Sequence, residues 1–154
     1  MTTVGISGVR KLTQEQAQQV RQELTEMMRG LEVTHCHVGD AAGVDAIARD
    51  VATRAPRVKL VCHEIKSHER WAYAERSTRM VKALAAEGGT LHAWVNKPCP
   101  PGLSKSKTWK GASGSGTWGT VALAVGHGLK VELHWLIEPQ GEPDWMENRQ
   151  LTLV

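Results

Sequence analysis

The feature that most constrains this chain is a repeated grammar: a short apolar run, a turn, then a segment with apolar residues at helical spacing. Residues 4–10, Val-Gly-Ile-Ser-Gly-Val-Arg, begin as an apolar strand and break at Gly8. Thr13 then opens a helix, with Gln16 three residues on in capping-box spacing. Ala17, Val20, Leu24, Met27, Met28 and Leu31 form its buried stripe, and Gly30 is a plausible stop. Residues 34–38 form a second apolar run, followed by the turn Gly39-Asp-Ala-Ala-Gly-Val-Asp45 and a helix carrying Val44, Ile47, Ala48 and Val51. A third strand covers residues 57–62, and a longer helix runs over residues 68–87 to Gly88-Gly89. The apolar arc of that helix reads as Trp71, Ala74, Thr78, Val81, Leu84 and Ala85. Strands over 90–95 and 130–137 flank a helix over 117–125. Five strands alternating with four helices predict an α/β protein, a Rossmann-like three-layer sandwich on a mostly parallel sheet of about five strands. The first turn lacks the G-x-G-x-x-G spacing of dinucleotide binders, so nothing is inferred from that motif.

In such sheets ligands bind beyond the carboxyl ends of the strands, where the strand order switches. Several turns of this chain fall there. Ser7, Gly8 and Arg10 follow the first strand; Gly39, Asp40, Gly43 and Asp45 follow the second. The stretch Gly111-Ala-Ser-Gly-Ser-Gly-Thr-Trp-Gly-Thr120 follows the fourth and runs into the apolar segment 121–125. A Gly/Ser loop opening a helix presents unpaired N–H groups at the positive end of the helix dipole, which suits a phosphate. Ser113, Gly114, Ser115, Gly116, Thr117 and Thr120 are therefore candidate ligand residues. Asp45 is equally well explained as a helix cap, while Asp40, just beyond a strand end, is expected to meet the ligand. On the 68–87 helix, Arg76 and Arg79 lie outside the apolar arc. Arg79 has Glu75 at i−4, whereas Arg76 has Met80 at i+4, so its partner must come from elsewhere or from a ligand.

Composition bounds the function. The 154 residues are 41% hydrophobic and 23% charged, ordinary for a soluble domain with a proper core. No segment approaches the roughly 20 apolar residues of a membrane span, and the N-terminus lacks signal-peptide features, so a cytoplasmic protein is expected. A net charge of +3 and a pI near 8.9 suit an anionic ligand without demanding nucleic acid. Cys36, Cys62 and Cys99 are odd in number and form no CxxC pair, which reads as free thiols. His35 and His37 would face away from Cys36 on a strand, so no metal is expected, and no cofactor either. The polar segment 96–116 carries Lys105, Lys107, Trp109 and Lys110. Loops this long are uncommon in compact domains, and this one reads as a lid over a phosphate, a modest nucleic-acid contact or a solvated loop.

The pattern resembles the SLOG superfamily, which groups the Lonely-guy phosphoribohydrolases, the DNA-processing protein DprA and the small YspA-like proteins. The resemblance covers residues 4–136. Gly5-Ile-Ser-Gly-Val-Arg10 resembles the family's opening ligand loop, and Gly39-Asp-Ala-Ala-Gly-Val-Asp45 is similar to the YspA-like glycine-glycine-alanine-x-glycine-x-aspartate turn. Trp71, Arg76 and Met80 fit that branch's tryptophan and Arg-x-x-x-Met helix. Tyr73-Ala-Glu-Arg-Ser-Thr-Arg-Met80 also falls on the Lonely-guy Met-His-x-Arg-Lys helix, with Arg76 at its arginine and Ser77 at its lysine. On the Lonely-guy Pro-Gly-Gly-x-Gly-Thr-x-x-Glu motif, Gly116-Thr117 match, Ala112, Ser113 and Gly114 stand at the first three positions, and Thr120 stands where the catalytic glutamate belongs. A threonine cannot supply the carboxylate that stabilises positive charge developing on a ribose. The resemblance therefore implies a nucleotide-binding domain over residues 1–137, acting as a sensor or sequestering module for a nucleotide-like small molecule. Residues 138–154 form a tail, an edge strand or a subunit contact, and a homodimer is expected. The alternative is a nucleoside 5'-monophosphate N-glycosidase with a rearranged acid, drawing on Arg76, with Asp40 or Glu69 as the replacement carboxylate. A nucleic-acid accessory role ranks lower, because only one short segment is basic.

Overall fold

The computed structural model describes residues 1–111 and 115–146. The elements are β1 (Thr3–Gly8), α1 (Gln14–Gly30), β2 (His35–Gly39), α2 (Val44–Arg54), β3 (Lys59–His63), α3 (Arg70–Ala86), β4 (Thr90–Val95), α4 (Gly116–Gly126) and β5 (Lys130–Trp135). The strands form one sheet in the order β3-β2-β1-β4-β5, parallel throughout. Register pairs Ile6 with Val38 and His92, and Gly8 with Trp94. After β3 the chain crosses to the far side of β1, so the strand order switches between β1 and β4. The α/β expectation holds, with a sheet wholly rather than mostly parallel.

Alternation along each strand divides the core in two. Val4, Ile6, Cys36, Val38 and Trp94 pack with Val20, Leu24 and Met28 of α1 and Val44, Ala48 and Ala52 of α2. Leu91, Ala93, Val95 and Val131 pack with Met80, Val81 and Leu84 of α3 and with α4. The Thr13–Gln16 capping box opens α1, each side chain accepting from the other residue's backbone N–H. On α3 the buried stripe is Ala72, Ser77, Met80, Val81 and Leu84. Trp71, expected in that stripe, is 57% exposed. The stripe is rotated because α3 must cover the sheet and also present Tyr73 and Arg76 to the space beyond the strand ends.

Residues 96–111 form a strap tied across α4. Ser106 N–H donates to Ala122 O at 3.2 Å, His127 Nε2 meets Lys107 O at 2.9 Å, and Trp118 Nε1 donates to Lys97 O at 3.0 Å. Two glycines make the seat. A Cβ at Gly119 would lie 2.6 Å from Trp109 Cη2, and one at Gly126 would strike the Ser106 backbone. A glycine inside a helix costs about 1 kcal/mol relative to alanine, a cost offset here by close approach of the strap.

Two histidine pairs bridge neighbouring strands. His37 Nδ1 and His63 Nε2 are 2.9 Å apart, with His37 Nε2 also 3.1 Å from Glu87 Oε1. His92 Nδ1 and His134 Nε2 are 2.9 Å apart, and Trp94 stacks on His134 while donating its Nε1–H to Glu23. Each pair needs one nitrogen to donate and the other to accept. Burial first, and the partner imidazole second, push His63 and His92 down to about 4. The unfolded chain takes up these protons near pH 6.5, but the folded chain resists until about pH 4. Their contribution is thus fully present above pH 6.5 and is lost as pH falls towards 4. The urea midpoint is expected to fall steadily from pH 7 to pH 4.5; a flat profile would show that the pairs protonate freely within the fold.

Candidate anion-binding cleft

A cleft of about 430 Å³ opens beyond the carboxyl ends of β1 and β4, at the switch in strand order. That volume lies within the range of small-molecule sites. Its walls are residues 6–11 from β1 and the following turn, Gly39, Ala41 and Asp45 from the β2–α2 turn, and Tyr73, Arg76, Ser77 and Met80 from α3. Asn96 and Lys97 after β4, Trp109 of the strap, and Ser115, Gly116, Thr117 and Thr120 of α4 complete it. Among the described residues, Arg10, Lys11, Arg76 and Lys97 line the cleft together with one carboxylate, Asp45. Such an excess of positive charge draws an anion inward.

Arg76 finds its partner 36 residues away. Its Nη1 donates to Asp40 Oδ1 at 2.6 Å, and Asp40 Oδ2 accepts from Ile65 N–H at 3.0 Å. Burial pulls the Asp40 carboxyl upward, but the Ile65 N–H and Arg76 outweigh it and hold it below the usual range. Asp40 is therefore a positioning group for Arg76, and it is not among the residues that line the cleft. Arg79 also sits off the cleft, held in a fork by Glu75 at 3.0 Å through two nitrogens and by Glu64 O. The guanidinium groups of Arg10 and Arg76 both lie over the Tyr73 ring, 5.4 and 5.6 Å from its centroid.

Three glycines allow the close packing of the two turns. A Cβ at Gly8 would lie 2.5 Å from Val44 Cβ. Gly43 has φ +73°, and its Cβ would meet the carbonyls of Val9 and Arg10, where Val44 N–H donates to Val9 O at 3.1 Å. Gly39 leaves room for Asp45, whose Oδ2 would be 2.7 Å from a Cβ there. Gly43 is thus a packing residue that does not itself line the cleft. Arg49, which the sequence did not single out, ties the β2–α2 turn by donating Nη1 to the carbonyls of Gly39 and Ala41, each at 2.9 Å.

Asp45 is buried and accepts from Ala41 N–H at 3.4 Å. Burial raises its pKa to about 6, against the opposing pull of Arg76, the Ala41 N–H, Arg49 and Arg10. The folded chain therefore keeps this proton between pH 3.8 and 6 where the unfolded chain releases it. That contribution is fully present below 3.8 and lost as pH rises through 6, opposite in sense to the histidine pairs.

At the α4 N-terminus, Ser115 caps the helix by accepting from Trp118 N–H at 3.1 Å. This leaves the first-turn amides of Gly116 and Thr117 as the groups an anion would meet. Among the described residues nothing lies within 4 Å of a Cβ built on Gly116. Thr120 is buried, donates Oγ1–H to Gly116 O at 3.0 Å and sits 3.5 Å from Ser77 Oγ. Thr120 and Ser77 thus form a neutral pair where the resemblance places a glutamate and a lysine. Ser113 and Gly114 lie outside the described residues. Glu69, the other proposed replacement acid, is the N-cap of α3 and is not among the lining residues. Among the described residues no group of three or more His, Cys, Asp or Glu side chains is placed to hold a metal, and no helix is long and apolar enough to cross a membrane.

Sequence reasoning missed Lys11, Tyr73, Asn96 and Lys97. The signal for Asn96 and Lys97 was present, since both stand immediately beyond a strand end at the switch point.

No family model matches this chain, and no curated protein does. Among solved structures it is similar to DNA processing protein A from Helicobacter pylori, described for its single-stranded DNA binding mode. That likeness has a TM-score of 0.58 at 17% identity and covers 97% of this chain and 71% of the other. At this identity the likeness establishes the Rossmann-like fold.

Two outcomes are expected from this geometry. Gly43→Ala should lower the urea-derived stability by about 2 kcal/mol or more, since a side chain at that φ meets two carbonyls. Asp45→Asn should be more stable than the wild type at pH 8, with the difference closing below about pH 4. A constant difference across that range would show that Asp45 ionises normally.

Proposed function

We propose that this chain is a SLOG-type module that binds a nucleotide or nucleotide-derived small molecule in the switch-point cleft, as a sensor or sequestering protein. The observation that carries the proposal is the convergence, among the described residues, of Arg10, Lys11, Arg76, Lys97 and the α4 N-terminus on a cleft lined by one carboxylate. In this reading the amides of Gly116 and Thr117 take the phosphate, Arg76 adds a charge-assisted contact, and Asp45 meets sugar hydroxyls. The structural neighbour is described as binding single-stranded DNA, a polymer of the same phosphate–sugar–base chemistry. The cleft volume favours a small molecule over a strand. Binding of an oligonucleotide would instead weaken steeply with salt.

One observation favours hydrolysis as a second reading. Asp45, with a pKa raised to about 6, is a lining carboxyl suited to moving a proton near neutral pH. Mass spectrometry of protein-retained and free fractions, after incubation with nucleoside monophosphates and cyclic dinucleotides, separates the two. Intact retained nucleotide supports binding, and free base accumulating with time supports hydrolysis.

Arg76→Ala should weaken nucleoside monophosphate binding at least tenfold by calorimetry, the loss of one charged hydrogen bond. Arg79→Ala should stay within twofold. An Arg76→Ala affinity within twofold of the wild type would remove the role assigned to that residue.

A further inference from the structure

We infer that Trp109 and Asn96 form a base-recognition subsite, so that the cleft selects ligands carrying an aromatic base over sugar phosphates alone. The inference rests on the nucleotide reading above and concerns the part of the ligand that its phosphate contacts do not address. Two aromatic side chains border the cleft, Tyr73 and Trp109. Tyr73 is already engaged by the guanidinium groups of Arg10 and Arg76. Trp109 is half-buried: its six-membered ring sits in the notch at Gly119, and the indole also borders the cleft.

The strap that carries Trp109 is anchored ahead of it, and the indole itself is seated against Gly119. Lys97 O and Lys107 O are held by Trp118 and His127, and Ser106 N–H by Ala122 O. An indole fixed in this way is preorganised to stack, because little side-chain freedom remains to be lost on binding. Base stacking on an aromatic ring is tolerant of base identity and contributes substantially to affinity. Asn96 also borders the cleft, half-buried, and its carboxamide makes no hydrogen bond among the described residues. A carboxamide both donates and accepts, which is what reading the polar edge of a base requires. Trp109 and Asn96 come from the β4 side of the cleft, whereas Arg10 and Arg76 come from β1 and α3.

The test compares adenosine 5'-monophosphate with ribose 5-phosphate by calorimetry on the full chain. Trp109→Phe and Trp109→Leu both fill part of the Gly119 notch, but only the first can stack. Trp109→Leu is expected to weaken the nucleotide tenfold or more and to leave ribose 5-phosphate within twofold, while Trp109→Phe keeps most of the nucleotide affinity. Asn96→Ala is expected to change the ranking of the four nucleoside monophosphates. Equal nucleotide affinity for Trp109→Leu and Trp109→Phe would overturn the base subsite. If Arg76→Ala still abolished binding in that case, the nucleotide reading would stand without it. If the wild type bound neither compound, both readings would fall together.

Discussion

The cleft depends on a steric constraint: the turns beyond β1 and β2 pack so closely that Gly43 meets the backbone of Val9 and Arg10. Gly8 lets Val44 press against the end of β1, and Gly43 lets α2 begin against the carbonyls of Val9 and Arg10. The Val44 N–H to Val9 O hydrogen bond closes the join. With side chains at these positions, the start of α2 would be pushed away from β1 and the walls carrying Arg10 and Asp45 would separate. Glycine is disfavoured in regular structure, so its use here reflects close approach and backbone conformation.

On that frame sits an electrostatic arrangement tilted to one sign. Asp40 takes no place in the cleft wall, yet it aims Arg76 into it, and the Ile65 N–H keeps Asp40 ionised for the purpose. Asp45 is the counterweight. It is buried beside Arg76, Arg49 and Arg10, and its raised pKa shows that desolvation exceeds what those cations return. Among the described lining residues the cations Arg10, Lys11, Arg76 and Lys97 outnumber that carboxyl.

The far wall is made by α4, whose residues from Thr117 to Val125 are all buried. A helix with no solvent face must be covered on every side, and the 96–111 strap provides the cover that the sheet and α3 cannot. The long polar loop, expected as a lid, a modest nucleic-acid contact or a solvated connector, is held by backbone contacts at Ser106 and Lys107 and by an indole seated in a glycine notch.

Local sequence determined the elements of this protein. The Thr13–Gln16 box, the apolar runs and the glycine stops act within a few residues of themselves, so their spacing alone placed five strands and four helices. The strand-end rule also brought much of the cleft into view, including Ser7, Arg10, Gly39, Asp45 and the start of α4, and the missing helical partner pointed to Arg76. Tertiary structure decided what depends on separation in the chain. Asp40 and Arg76 pair across 36 residues, His92 meets His134 across 42, and Trp109 finds Gly119 on a different element. None of these has a periodic signature, because each partner is chosen by strand order and helix rotation. The same rotation exposed Trp71 and turned Tyr73 to the cleft, since the face a helix presents is set by everything it must cover.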